Sequence, residues 1–97
     1  MAKVKRSDRY ILVRDDGTTY PDQCHVFGGK RVKWYSYTGP WTIRFGGKTP
    51  FSKGKFSIAK GGGESEWTSG AKGDIDEKFK YSVSGNGKAV DPDIIIK

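Results

Sequence analysis

The fifteen residues from Arg31 to Phe45, Arg-Val-Lys-Trp-Tyr-Ser-Tyr-Thr-Gly-Pro-Trp-Thr-Ile-Arg-Phe, carry the pattern that decides the fold. Successive side chains of a β-strand point to opposite faces, so Val32 and Trp34 share one face while Lys33, Tyr35 and Tyr37 share the other. After the turn signal Thr38-Gly39-Pro40, a second strand places Trp41, Ile43 and Phe45 on one face and Thr42 and Arg44 on the other. The faces that carry Val32, Trp34, Trp41, Ile43 and Phe45 are the expected core.

Outward from this stretch the same period of two continues. Tyr10 to Arg14 reads as a first strand closed by Asp15-Asp16-Gly17, and Gln23 to Phe27 as a second, with Gly28-Gly29 turning the chain into Arg31. Beyond Phe45, Phe51 follows Pro50 in a loop, and Phe56 and Ile58 alternate in a short strand. Gly61-Gly62-Gly63 turns before a strand expected over Glu66 to Ser69. Phe79, Tyr81 and Val83 alternate with Lys80 and Ser82 in a strand that Gly85-Asn86-Gly87 ends. Asp93 to Lys97, with Ile94, Ile95 and Ile96 in sequence, reads as a terminal strand covered on both faces. Burying Tyr81 obliges its hydroxyl to find a partner or reach a sheet edge. The expectation is an all-β single Greek-key β-sandwich or barrel of seven to eight strands, with no internal repeat.

With 97 residues the chain has room for one domain, residues 1–97, and residues 1–8 read as a flexible basic N-terminal arm. Thirteen aromatic residues against a single leucine, Leu12, mean a core built from rings. Fourteen glycines oppose a helical bundle, and no run of about 20 apolar residues is present to span a membrane. The single cysteine, Cys24, cannot form an internal disulfide, and the apolar stretch after the basic start is too short for an export signal. The compartment stays open: cytoplasmic if Met1 is the native start, exported if the chain is a trimmed mature domain.

The formal net charge of +7 is unevenly placed. Residues 1–60 hold thirteen basic and four acidic groups, and residues 61–97 hold five and seven. A basic half attracts phosphates, anionic headgroups or an acidic protein, and serves solubility equally well.

The order of motifs resembles the cupredoxin family. That family runs from a Gly turn into a Val-x-Trp strand, here Val32-Lys33-Trp34, then a His-Thr-Val-x-Phe strand, here Trp41-Thr42-Ile43-Arg44-Phe45. It ends on an aromatic-x-Tyr-x-Cys strand, here Phe79-Lys80-Tyr81-Ser82-Val83, so the resemblance covers Asp22 to Lys97. It implies a copper ion held by a His on the middle motif and by Cys, His and an axial Met on the last. Carried over position by position, the His falls at Trp41 and the Cys at Val83, and beyond Val83 there is neither His nor Met. An indole and an isopropyl group offer copper no suitable lone pair. The resemblance therefore implies a cupredoxin-like domain without copper, and no cofactor is expected.

Other chemistry is thinly represented. Cys24 and His25 are adjacent, so on a strand they face opposite ways and cannot jointly clasp one ion or form a nucleophile–base pair. The acidic groups Asp15-Asp16 and Asp74, Asp76 and Glu77 lie in turns and lack EF-hand spacing. No catalytic constellation is found, and an enzyme is not expected. The candidate binding patch is Lys33, Tyr35, Tyr37 and Arg44, two tyrosines flanked by cations, which suits a protein interface or single-stranded nucleic acid alike. Three readings compete. The leading one is a non-catalytic module for an acidic or polar protein partner. The alternative is a basic single-stranded nucleic-acid-binding β-barrel, and a copper-binding electron carrier is the reading that the missing ligands oppose. The domain is expected to be a monomer, or a dimer through the edge of the Ile94 to Ile96 strand.

Overall fold

A computed structural model of the chain describes residues 8–85 and 87–97. Among these residues it is all-β, with strands β1 (Arg9–Val13), β2 (Thr19–Tyr20), β3 (Gln23–Val26), β4 (Val32–Ser36), β5 (Trp41–Arg44), β6 (Lys55–Ile58), β7 (Gly63–Glu64), β8 (Lys78–Lys80), β9 (Ser82–Gly85), β10 (Lys88–Val90) and β11 (Asp93–Ile96). They form three sheets in the orders β2-β1-β4-β7, β10-β9-β5-β6 and β3-β11-β8. The pairings of β1 with β4 and of β3 with β11 are parallel.

The eleven strands exceed the seven or eight expected because the chain changes sheets within segments that read as continuous. The stretch from Phe79 to Ser84 breaks at Tyr81: β8 before it pairs with β11, and β9 after it pairs with β5. Tyr81 sits at this corner, its N–H donating to the Pro92 carbonyl at 3.1 Å. The returning chain turns the same corner at Asp91-Pro92, between β10 and β11.

No strand forms over Glu66 to Ser69. The segment still runs along the edge of β4, because side-chain hydroxyls replace the carbonyls that a strand would offer. The amides of Trp34 and Val32 donate to Ser65 Oγ at 3.0 Å and Thr68 Oγ1 at 2.8 Å. The amides of Ser65 and Thr68 return bonds to the carbonyls of Trp34 and Val32. Both hydroxyl residues are buried.

The core holds every residue the alternation assigned to it, from Val32, Trp34, Trp41, Ile43 and Phe45 through Phe56, Ile58, Phe79, Tyr81 and Val83 to Ile94 and Ile96. Ile95 is the exception. It is half-buried, since β11 shields one face fully and the other in part. Ile11, Val13, Cys24, Val26, Phe51 and Ala71 complete the cluster. Trp34 is its hub, with ring contacts to Phe45, Phe51, Phe56 and Tyr81 at centroid distances of 5.1 to 6.4 Å.

Of the two expectations about the ends, one changes and the other falls almost wholly outside the described residues. The terminal strand is not an edge: β11 lies between β3 and β8, hydrogen-bonded on both sides, so a dimer through an uncovered β11 edge has no edge to use. The basic arm at residues 1–8 lies outside the described residues apart from Asp8. That residue is tied down, Oδ1 accepting the Arg31 amide at 2.8 Å and Oδ2 its guanidinium at 2.8 Å.

Candidate functional site

The outward face of the β2-β1-β4-β7 sheet is assembled by strand register. Alternation along β4 buries Val32, Trp34 and Ser36 and turns Lys33 and Tyr35 outward, with Tyr37 following on the same side. The parallel pairing sets Tyr10 beside Lys33 and Leu12 beside Tyr35. On the far side of β1, Tyr20 stands opposite Leu12, and across β4 Glu64 stands opposite Tyr35. One row, Tyr20, Leu12, Tyr35 and Glu64, thus crosses four strands.

Aromatic rings run along this face in steps. Tyr37 meets Tyr35 edge-to-face at 6.2 Å, Tyr35 meets Tyr10 at 6.3 Å, and Tyr10 meets Trp67 at 5.2 Å. Of the four most exposed large hydrophobic side chains, three stand here: Tyr10 at 54%, Tyr20 at 63% and Tyr37 at 80%. Trp67 does a different job. The guanidinium of Arg31 lies 4.4 Å and the ammonium of Lys33 4.8 Å from its ring centre, so its π-surface already holds two cations.

Those cations are also paired with carboxylates, Arg31 with Asp8 at 2.8 Å and Lys33 with Glu64 at 3.0 Å. The hydrogen bonds from the Arg31 side chain and backbone hold the Asp8 carboxyl below its ordinary value. At the other end of the face, the Asp15-Asp16 turn borders a groove of about 540 Å³ lined by Leu12, Val13, Arg14, Asp15, Asp16 and Tyr37.

Of the four patch residues read from the sequence, the structure brings Lys33, Tyr35 and Tyr37 together. Arg44 is elsewhere. It projects from β5 in the opposing β10-β9-β5-β6 sheet, beside Gly46, Gly47, Lys80, Ser82 and Asp91. The Thr38-Gly39-Pro40 crossover carries the chain from one layer to the other, so the outward faces of β4 and β5 look away from each other. Sequence reading missed Tyr10, Tyr20, Arg31 and Trp67. The alternation of Tyr10 with Ile11 and Val13 marked it as outward, but only the parallel β1–β4 pairing places it beside Tyr35.

The copper positions implied by the resemblance are filled by core side chains. Trp41 is buried, its indole N–H donating to Thr38 Oγ1 at 3.3 Å, and Val83 is fully buried. Two glycines make room for the indole: a Cβ on Gly85 would lie 2.8 Å from its Cε3, and one on Gly17, where φ is +88°, 3.3 Å from its Cζ3. The remaining donors do not compensate. Cys24 and His25 share β3, with Cys24 buried and His25 exposed, and burial pushes the Cys24 thiol up to about 11. Among the described residues no group of three His, Cys, Asp or Glu side chains could hold a metal ion. The donor set does not fit a copper centre of the His₂Cys kind. The acidic turn near the C-terminus is used internally, Asp76 by Lys97 at 2.6 Å and Glu77 by Lys48 at 2.8 Å.

No protein-family description and no curated protein matches the sequence. Among solved structures, a mutant of amicyanin in its reduced Cu(I) form is similar, with a TM-score of 0.56 and 10% sequence identity, covering 98% of this chain and 87% of that one. At that identity the likeness is one of fold, and the fold of this chain is cupredoxin-like. No helix among the described residues is long and apolar enough to cross a membrane.

Proposed function

We propose that this domain is a non-catalytic, non-metal-binding recognition module that engages a polar or acidic protein partner through the outward face of the β2-β1-β4-β7 sheet. The observation that carries the reading is the placement of Tyr10 and Tyr37 in solvent, joined through Tyr35, with exposed Tyr20 on the same face across Leu12. Tyrosine supplies a large, stiff contact area with a polar tip and loses few rotamers on binding, which is why it is enriched at protein interfaces. Tyr10, Tyr20 and Tyr35 stand on strands and Tyr37 directly follows β4, which fixes their spacing in advance, and a preformed surface loses less entropy on binding.

The charges on this face favour protein over nucleic acid. A polyanion gains affinity by releasing counterions from free cations. Here Arg31 and Lys33 already face Asp8 and Glu64, and a phosphate would have to displace a carboxylate from each.

A displayed library of random twelve-residue peptides, selected on the domain at about 150 mM salt where weak surface attraction is screened, tests the reading. Peptides recovered on the native chain and lost on a Tyr10→Ser, Tyr35→Ser, Tyr37→Ser variant of unchanged melting temperature support it. Recovered peptides indifferent to that variant overturn it. So does a mixed-sequence single-stranded oligonucleotide that binds the same three tyrosines more tightly than any peptide.

A further inference from the structure

The groove at the Asp15-Asp16 end of this face narrows the kind of partner. Its lining includes the half-buried aliphatic Leu12 and the most exposed ring among the described residues, Tyr37, which makes an edge contact with Tyr35, while the side chain of Val13 turns into the core beneath. Two carboxylates stand at its border, and among the described residues neither makes an ion pair. Asp16 is fixed by the turn, its Oδ1 accepting both the Thr18 amide at 3.0 Å and the Thr18 hydroxyl at 2.6 Å. Asp15 Oδ1 takes one long bond, from Thr38 Oγ1 at 3.4 Å. One cation, Arg14, also lines the groove; its Nη1 donates to Thr18 Oγ1 at 3.3 Å, and its guanidinium lies 5.5 Å from the Tyr20 ring centre. At the opposite end of the face both cations are compensated.

In a chain of net charge +7, the border of this groove thus carries two carboxylates against one cation, and its formal charge is negative. An apolar floor, an aromatic wall and carboxylates at the border complement one kind of side chain: a long aliphatic stem ending in a cation. The stem covers Leu12, the cation lies against the face of Tyr37, and Asp15 and Asp16 supply the countercharge.

We infer that this groove receives a lysine or arginine side chain of the protein partner, carried on an extended segment that lies along the line of rings from Tyr37 through Tyr35 and Tyr10 to Trp67. The inference rests on the protein-recognition reading above and specifies its anchor. The partner segment need not be basic overall. A single cation at the groove suffices, and the rings contact the partner residues beyond it.

The selected peptides supply the test. They are expected to share a lysine or arginine, and replacing it with glutamate should weaken binding by about tenfold or more, the size of one well-formed interface contact. Asp15→Lys, at an exposed position with one long hydrogen bond, should leave the fold intact and weaken the native peptides to a similar degree. It should also regain affinity for the glutamate-bearing peptides, and this charge-swap rescue is what a merely structural role of Asp15 would not produce. Arginine and lysine versions of one peptide report which cation the groove prefers. Peptides without a shared basic position, an Asp15→Lys variant that binds them unchanged, or the recovery of no peptide at all each overturn the inference. If binding depends on the three tyrosines but not on Asp15, the recognition reading stands and the cation groove falls. If it depends on neither, both fall.

Discussion

The indole N–H of Trp34 donates to the hydroxyl of Tyr81 at 3.2 Å, inside a core where both residues are almost fully buried. This bond ties the centre of β4 to the corner at which the chain passes from β8 to β9. Two polar atoms that aromatic packing would otherwise strand satisfy each other, and burial pushes the Tyr81 phenol well above its ordinary value, so it stays neutral. The outward tyrosine face and Trp34 share β4, because the alternation that buries Trp34 is what turns Tyr35 outward.

Replacing Tyr81 with Phe should keep the ring packing and orphan the Trp34 N–H. Leaving a buried donor unsatisfied costs about 1–3 kcal/mol. Urea unfolding should show that loss with an unchanged slope. A variant as stable as the native chain would mean that the indole finds another acceptor.

Acid should destabilise the fold. Hydrogen bonds hold Asp8 and Asp16 below the ordinary 3.8, from Arg31 and Thr18 respectively, and Lys48 holds Glu77 below 4.5. A carboxyl whose folded value is depressed contributes stability above its unfolded value and loses it as pH falls through the folded one. Melting temperature should be level near neutrality and decline below about pH 4, by a modest amount because these groups are solvent-screened. A melting temperature that rises on acidification would contradict the assignment.

Cys24 should be unreactive until the chain unfolds. It is 1% exposed, and with its thiol near 11 only about one molecule in a thousand carries the thiolate at pH 8. A soluble disulfide reagent should label the native protein far more slowly than the protein in urea. Equal rates would place the thiol at the surface.

Much of this fold was legible from alternation alone. Val32, Trp34, Trp41, Ile43 and Phe45 are buried as their spacing requires, and Tyr35 and Tyr37 face outward. Two kinds of information were not. Strand pairing is non-local, so nothing near Tyr10 announces that β1 lies parallel to β4, and nothing near Arg44 announces that β5 belongs to the other layer. Side-chain hydroxyls acting as strand partners also leave no periodic trace, so Glu66 to Ser69 read as an ordinary strand, whereas Ser65 and Thr68 seal the edge that positions Trp67 through their hydroxyls.

That edge gives a prediction. Thr68 is 4% exposed, accepts the Val32 amide at 2.8 Å and donates to the Ser69 carbonyl at 2.8 Å. Thr68→Val preserves shape and removes both bonds, at a cost of about 1–3 kcal/mol for the stranded amide. Amide hydrogen exchange should quicken at Val32 more than at Ile43 in the opposing sheet. Uniform quickening would show that the hydroxyl stabilises the whole domain and not this edge.

Copper offers the sharpest contrast between fold and chemistry. The cupredoxin-like fold is built here with Trp41 and Val83 where the resemblance places a histidine and a cysteine, and the indole packs against Gly17 and Gly85. Admitting an ion would require displacing a buried tryptophan, and truncating such a residue typically costs about 3–5 kcal/mol. The only thiol is buried on β3 with its neighbouring imidazole facing the other way. Equimolar Cu(II) added to the folded protein should therefore produce no intense blue thiolate-to-copper absorption. Weak binding at the exposed His25 would appear only as a faint band that a His25→Gln variant removes. An intense band that survives in that variant would require Cys24 to reach the metal, and with it a rearrangement of β3 that the parallel pairing with β11 forbids.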